Sequence, residues 1–195
     1  MVQTSLEDLL AQVRSCTVCA EFLPAGPRPI VQVGPNARIV LIGQAPGRRV
    51  HESGVPWDDQ SGVRLRDWLG LSVDEFYDPD IVAIIPMGFC YPGTGSSGDL
   101  PPRPECAPLW HDRLLDQLSS EVLRVILGNY ALARYVPDRS PTLTETVRRY
   151  RDLLPDRIVL PHPSPRNNPW LRKNPWFEAE AVPLVRQRIR SLIDR

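Results

Sequence analysis

The sequence predicts a three-layer α/β/α fold around a central, mostly parallel four-stranded sheet. Four short apolar runs, at residues 38–43, 81–86, 122–128 and 157–161, each end in Gly or Pro. They do not alternate apolar with polar residues, which is the pattern of strands buried on both faces of a parallel sheet. Segments with helical spacing of apolar residues fall between the runs, and strands alternating with helices build an open sheet covered on both sides.

Taken in order, Thr4 with Glu7 reads as a capping box. Leu6, Leu9, Leu10 and Val13 follow at helical spacing, so the chain opens on a short amphipathic helix. Further helices are expected near 63–69, 104–118 and 130–136. A last helix is expected from Asn174-Pro175, where Asn caps and Pro fits the first turn. Its Val182, Val185, Ile189 and Leu192 face the core, with a bend at Pro183. The 22 prolines concentrate at 24–35, 101–108 and 161–175, interleaved with apolar and aromatic residues, which marks ordered connections. With no internal repeat or low-complexity segment, residues 1–195 read as one domain, large enough to bury a core without staples.

No apolar run approaches the length that spans a bilayer, and no basic stretch followed by an apolar one marks the N-terminus. A soluble, cytoplasmic protein without a membrane partner is expected, a monomer by default. Lys+Arg and Asp+Glu balance at 23 each, less basic than a usual nucleic-acid binder. Local basic groups nevertheless lie near the motifs below: Arg48-Arg49, Arg64 and Arg66, and Arg166 with Arg172-Lys173.

The unusual residues fall directly after the predicted strands. GQAPG follows the first, MGFCYPG the second, GNY the third and HPSPRNN the fourth. The C-terminal edge of an open α/β sheet carries its ligand site, so one cleft is expected there. Gly43-Gln44-Ala45-Pro46-Gly47 is a tight strand-to-loop turn, whose glycines allow close backbone approach and whose amides suit a carbonyl or an anion. Gly54-Val55-Pro56-Trp57 brings a large aromatic ring to the same edge, either as core or as a surface on which a flat base stacks. Prolines on either side of Ser164 hold His162 at a strand end, and Ser164, Arg166 and Asn167 add donors for phosphate or base edges. His111 reads as a helix-surface residue and His51 as a contact on the cleft loop.

The four cysteines occur as Cys16-x2-Cys19, then Cys90, then Cys106. A C-x2-C pair in an intracellular chain suits a metal centre better than disulfides. Spacing leaves tetrahedral zinc and an iron–sulfur cluster both open, beside the plainer reading of four buried thiols.

Together these residues resemble the iron–sulfur (family 4) branch of the uracil-DNA glycosylase superfamily, which has a GEAPG-type first motif, a G-x-P-F turn, a C-terminal HPS motif and four cluster cysteines. The counterparts here are Gly43 to Gly47, Gly54 to Trp57, His162 to Ser164, and the four Cys, in order across nearly the whole chain. The resemblance implies a uracil-DNA glycosylase-like fold and a monofunctional DNA glycosylase that flips out and excises uracil, or a related deaminated base, in base excision repair. It implies that Cys16, Cys19, Cys90 and Cys106 hold a structural [4Fe–4S] cluster, with zinc the lesser alternative. It places His162 as donor to uracil O2 in the transition state, and Gln44, Gly43, Ala45, Pro46 and Gly47 around the base, with Trp57 stacked on it. Ser61 and Gly62 would meet phosphate, Ser164, Arg166 and Asn167 would bind DNA, and the loop from Pro165 to Leu171 would follow the minor groove. Arg166 or Leu171 would fill the gap left by the extruded base.

The sequence departs from that pattern at several points. Gln44 stands where Glu is usual, and Val50 and His51 where an acidic pair is. Ala45 occupies the place of a water-activating Asp in other branches, leaving Asp58 and Asp59 as adjacent candidates. No Asn ends the second strand, where Met87-Gly88 follow Pro86, and Tyr91-Pro92-Gly93 replaces a basic, Pro-rich run. A non-catalytic, lesion-binding DNA module on the same scaffold is therefore the alternative expectation. A nucleotide-binding Rossmann-like protein is disfavoured, since the first turn lacks G-x-G-x-x-G.

Overall fold

The computed structural model describes residues 5–96 and 98–194. Helix α1 (Leu6–Arg14) is capped by Ser5, whose hydroxyl oxygen accepts from the Asp8 N–H; the expected cap, Thr4, lies outside the described residues. Leu9, Leu10 and Val13 are buried, as their spacing predicts. Strand β1 (Ile39–Ile42) leads through α2 (Arg48–Ser53), α3 (Gln60–Leu69) and α4 (Val73–Tyr77) to β2 (Val82–Ile84). The next connection carries a small antiparallel hairpin, β3 (Thr94–Gly95) and β4 (Gly98–Asp99), which the sequence did not signal. Then follow α5 (Cys106–Leu115), β5 (Leu123–Leu127), α6 (Gly128–Tyr135), α7 (Leu143–Arg148), α8 (Tyr150–Leu153), β6 (Arg157–Leu160), α9 (Asn168–Lys173) and α10 (Val182–Ile193).

The four main strands form one parallel sheet in the order β2-β1-β5-β6, with Ile39 opposite both Val82 and Leu123, and Arg124 opposite Arg157. All of β1 and β2 is buried, because helices cover both faces. The chain steps outward from β1 to β2 and then returns to the other side of β1, so the order reverses between β1 and β5. That reversal is where loops splay apart at the C-terminal edge and leave a crevice.

On one side α3 packs on α10, and Trp68 meets Phe177 edge to face at 4.9 Å between centroids. Arg190 of α10 donates to both carboxylate oxygens of Glu75 on α4, at 2.5 and 2.9 Å, and holds that carboxyl down to about 2. The C-terminal helix begins beside Asn174-Pro175, as expected, with the Ala179 N–H donating to the Pro175 carbonyl at 3.2 Å. Asn174 terminates α9, its side-chain amide donating to the Trp170 carbonyl at 2.9 Å. Helical backbone is continuous from Trp176, through a π-helical turn (Phe177–Ala181), into α10, and the irregular turn falls immediately before Pro183, which has no N–H to give to the preceding turn. No helix among the described residues is long and apolar enough to cross a membrane.

His111 is not a surface residue. It is fully buried on α5, on the stripe formed with Ala107, Trp110 and Leu114. The Pro86 carbonyl can only accept, so His111 Nε2–H donates to it at 2.9 Å, and Nδ1 accepts from the Tyr135 hydroxyl at 2.6 Å. The ring is thus a satisfied, neutral core polar group beside Phe89, which stacks on it at 5.7 Å. Burial pushes its pKa down to about 4.

Candidate functional site

The C-terminal ends of the strands enclose a cleft of about 390 Å³. Gln44, Ala45, Pro46 and Gly47 line it from the turn after β1, and Pro86 from the end of β2. His162, Ser164, Arg166 and Asn167 come from the segment after β6, while Trp57 comes from the connection into α3 and Ser61 from the first turn of that helix. Gly128, at the end of β5, stands directly behind His162. Of the four segments singled out by position, GQAPG and HPSPRNN line the cleft and Gly128 of GNY backs His162, whereas Gly88, Phe89 and Cys90 of MGFCYPG line a second cavity; most of the residues expected to bind a base or DNA still lie in one place.

Trp57 is the one described non-glycine residue with a left-handed backbone, φ 58°. A bulky residue rarely occupies that region, so the surrounding structure must hold it there. Two glycines make room for it. A side chain at Gly43 would press the indole, whose Cζ2 lies 3.0 Å from the Cβ position, and one at Gly62 would overlap the Trp57 carbonyl oxygen. The ring rests on the core at one face and lines the cleft at the other, with the His162 ring 5.6 Å away and tilted by 35°. Trp57 is thus part core and part cleft wall.

His162 is fixed by its own loop. The Ser164 backbone N–H donates to Nδ1 at 3.2 Å, so Nε2 carries the ring proton and is the nitrogen available to a ligand. Asn167 Nδ2 donates to the His162 carbonyl at 2.7 Å, and Ser164 Oγ accepts from the Arg166 N–H at 3.3 Å. From α3, Arg64 Nη1 reaches the carbonyls of Pro163 and Ser164, both at 3.3 Å. Burial lowers the His162 pKa from its ordinary value, and the Asp59 and Asp99 carboxylates only partly oppose it. At neutral pH the site therefore presents a neutral imidazole with one N–H to give. Ser164 and Asn167 hold that imidazole in place as much as they face the cleft.

Other expected contacts are less direct. The Gly62 N–H donates to Asp59 Oδ1 at 2.8 Å as the cap of α3, which leaves that amide engaged and sets a carboxylate where a phosphate was expected. Leu171 lies outside the cleft lining and packs against the core. His51 is also absent from the lining; its ring meets Tyr91 at 5.8 Å, and its Nδ1 is buried without a partner. Of the two adjacent acids, Asp59 lines the cleft and Asp58 does not, standing 4.0 Å from Arg49.

Asp99 and Leu100, from the β3–β4 hairpin, form the wall opposite the first turn. Gln44 Nε2 donates across to the Leu100 carbonyl at 3.4 Å. Sequence reasoning missed this wall because strands of two residues have no readable periodicity.

A second, smaller cavity is lined by all four cysteines, with Val18, Leu23, Phe89, Leu109 and Trp110 around them. None is in a disulfide. The Phe89 N–H donates to Cys106 Sγ at 3.4 Å, and the Cys19 thiol points at Glu105 Oε2 from 3.8 Å. Burial pushes the Cys106 thiol up to about 12 and Cys90 up to about 11. Among the described residues, no three His, Cys, Asp or Glu side chains close on a single point as a lone metal ion requires. Four thiols ringing a mostly apolar cavity are nonetheless a donor set whose chemistry fits an iron–sulfur centre.

Comparison with known protein families identifies a superfamily. The model described as the Uracil DNA glycosylase superfamily covers residues 31–186, which takes in the cleft, Cys90 and Cys106, and begins after Cys16 and Cys19.

Proposed function

Because the chain belongs to the uracil DNA glycosylase superfamily, we propose that it is a monofunctional DNA glycosylase acting on uracil or a related deaminated base. Membership itself suggests glycosylase activity and DNA as substrate; the base and the residues' roles are our reading. The observation that carries it is the paired setting of Trp57 and His162 on one cleft, with the His162 tautomer fixed by the Ser164 amide. A flat base extruded from the helix would stack on the indole while His162 Nε2–H donates to its O2. As the C1′–N bond breaks, negative charge develops on the base. A donor held in advance by Asn167, Ser164 and Arg64 stabilises that charge without reorganising. Gln44 and the amides of the first turn would border the base, and Arg166, exposed on the cleft lining, would meet the backbone or fill the vacated stack.

Cys16, Cys19, Cys90 and Cys106 would hold a [4Fe–4S] cluster, which when bound supplies a structural cross-link between the N-terminal segment and the hairpin connection. The alternative, a lesion-binding module without catalysis, draws on one observation: Gln44, Ala45 and Pro46 bring no titratable side chain to the cleft.

The test is single-turnover incubation of anaerobically purified protein with duplexes holding uracil, hypoxanthine or xanthine, followed by alkali cleavage of abasic sites. Release of a base by wild type, lost by about 100-fold or more in His162→Ala, supports the enzyme. Tight binding without release of any base would replace it with the lesion-binding module.

A further inference from the structure

We propose that Asp99 is the water-activating carboxylate of this cleft, carried to the first turn from the opposite wall by the β3–β4 hairpin. The inference rests on the glycosylase reading above. Hydrolysis needs a group that takes a proton from water as it attacks the sugar, and the turn after β1 offers only Gln44, Ala45 and Pro46 before Gly47. Asp99 fills that deficit in space. Its Oδ2 stands over the turn so closely that a side chain at Gly47 would approach it to 3.3 Å. Its other oxygen is oriented by its cross-strand neighbour, since Thr94 Oγ1 donates to Oδ1 at 3.4 Å. Thr94 is in turn hydrogen-bonded to the Tyr91 hydroxyl, so the carboxylate hangs on a short chain rooted in a buried aromatic.

Asp59 is the rival, because it too lines the cleft. One of its oxygens, however, is held at 2.8 Å as the cap of α3, which ties the group to the helix end. Asp99 is exposed at the cleft mouth, where solvent enters, and no helix depends on it. Both carboxylates also lie close enough to His162 to affect its protonation, which puts them in the same chamber as the proposed donor.

In the step itself, the oxygen of a water bound by Asp99 forms a bond to C1′. The C1′–N bond breaks and its electron pair departs with the base, held as an anion by the His162 Nε2–H. The water proton passes to the Asp99 carboxylate, and the base takes up a proton from solvent on release.

The experiment compares Asp99→Asn, Asp59→Asn and wild type in single-turnover release from the duplex that wild type cleaves best, with affinity for a duplex holding a tetrahydrofuran abasic analogue as the second readout. Asp99→Asn is expected to lower the rate by about 100-fold or more, to melt as wild type does, and to bind the analogue as tightly or more tightly. A rate within threefold of wild type, or a deeper loss in Asp59→Asn, overturns the assignment and leaves the glycosylase reading standing. A wild type that releases no base overturns both.

Discussion

Replacing His111 by Gln tests whether a neutral imidazole is built into the core. In the native protein the ring is fully buried, with Nε2–H on the Pro86 carbonyl and Nδ1 accepting from Tyr135. Protonation would add a second donor facing the Tyr135 hydroxyl, whose oxygen already receives Arg134 Nε at 3.4 Å. Folding therefore excludes the proton, and the unfolded chain, with its ordinary value of 6.5, does not. The pKa is lower in the folded state, so the full stability is present above pH 6.5 and is lost as pH falls towards about 4. At about 1.4 kcal/mol per pH unit across that window, His111 accounts for about 3 kcal/mol in all, of which about 2 kcal/mol is gone by pH 5. Gln offers an NH2 donor group and a carbonyl acceptor at all these pH values, so His111→Gln can keep both bonds, sacrifices about 1–3 kcal/mol of ring packing at pH 7.5, and lacks the acid slope. Urea unfolding followed by tryptophan fluorescence at pH 7.5 and 5.0 measures the double difference. Carboxylates and His162 titrate in both proteins and cancel. A double difference of about 2 kcal/mol is expected; one below about 0.5 kcal/mol refutes the buried neutral imidazole.

Gly62→Ala should destabilise the fold by about 3 kcal/mol, because its methyl would overlap the Trp57 carbonyl, which is backbone and cannot swing away. Gly43→Ala, which meets only the edge of the indole at 3.0 Å, should cost less in the same thermal melts, and the reverse order would contradict the packing described. Anaerobically purified protein should carry about four iron and four sulfide per chain, with Cys106→Ser losing most of both. About one zinc and no iron in wild type would replace the cluster with a tetrahedral ion.

The sheet was legible because its strands are unbroken apolar runs, and the position of the cleft followed from the unusual segments that come directly after them. His162 could be picked out because prolines flank its motif, but its tautomer could not, since that depends on where the Ser164 amide points. His111 was legible and was misread: residues 107, 110, 111 and 114 fall at core spacing, and a titratable ring on such a stripe is buried more readily than its polarity suggests. The Asp59 cap was legible in the same way, as an Asp three residues before the amide it accepts. Neither the left-handed Trp57 nor Asp99 left a trace in the sequence. The first departs from what its residue type prefers, and the second depends on a long connection folding back over a turn far away in the chain.

That connection has a mechanical character of its own. Cys90 and Cys106 stand at its two ends on the cysteine cavity, while Asp99 and Leu100 at its crown face the cleft. A chain segment footed at both ends on one support is an arch, and the crown of an arch keeps its height only while the feet keep their spacing. The crown is tied to the first turn by the Gln44–Leu100 bond as well as carried by its feet, so substitutions at the two thiols, far from the chemistry, are expected to register there as a change of aperture.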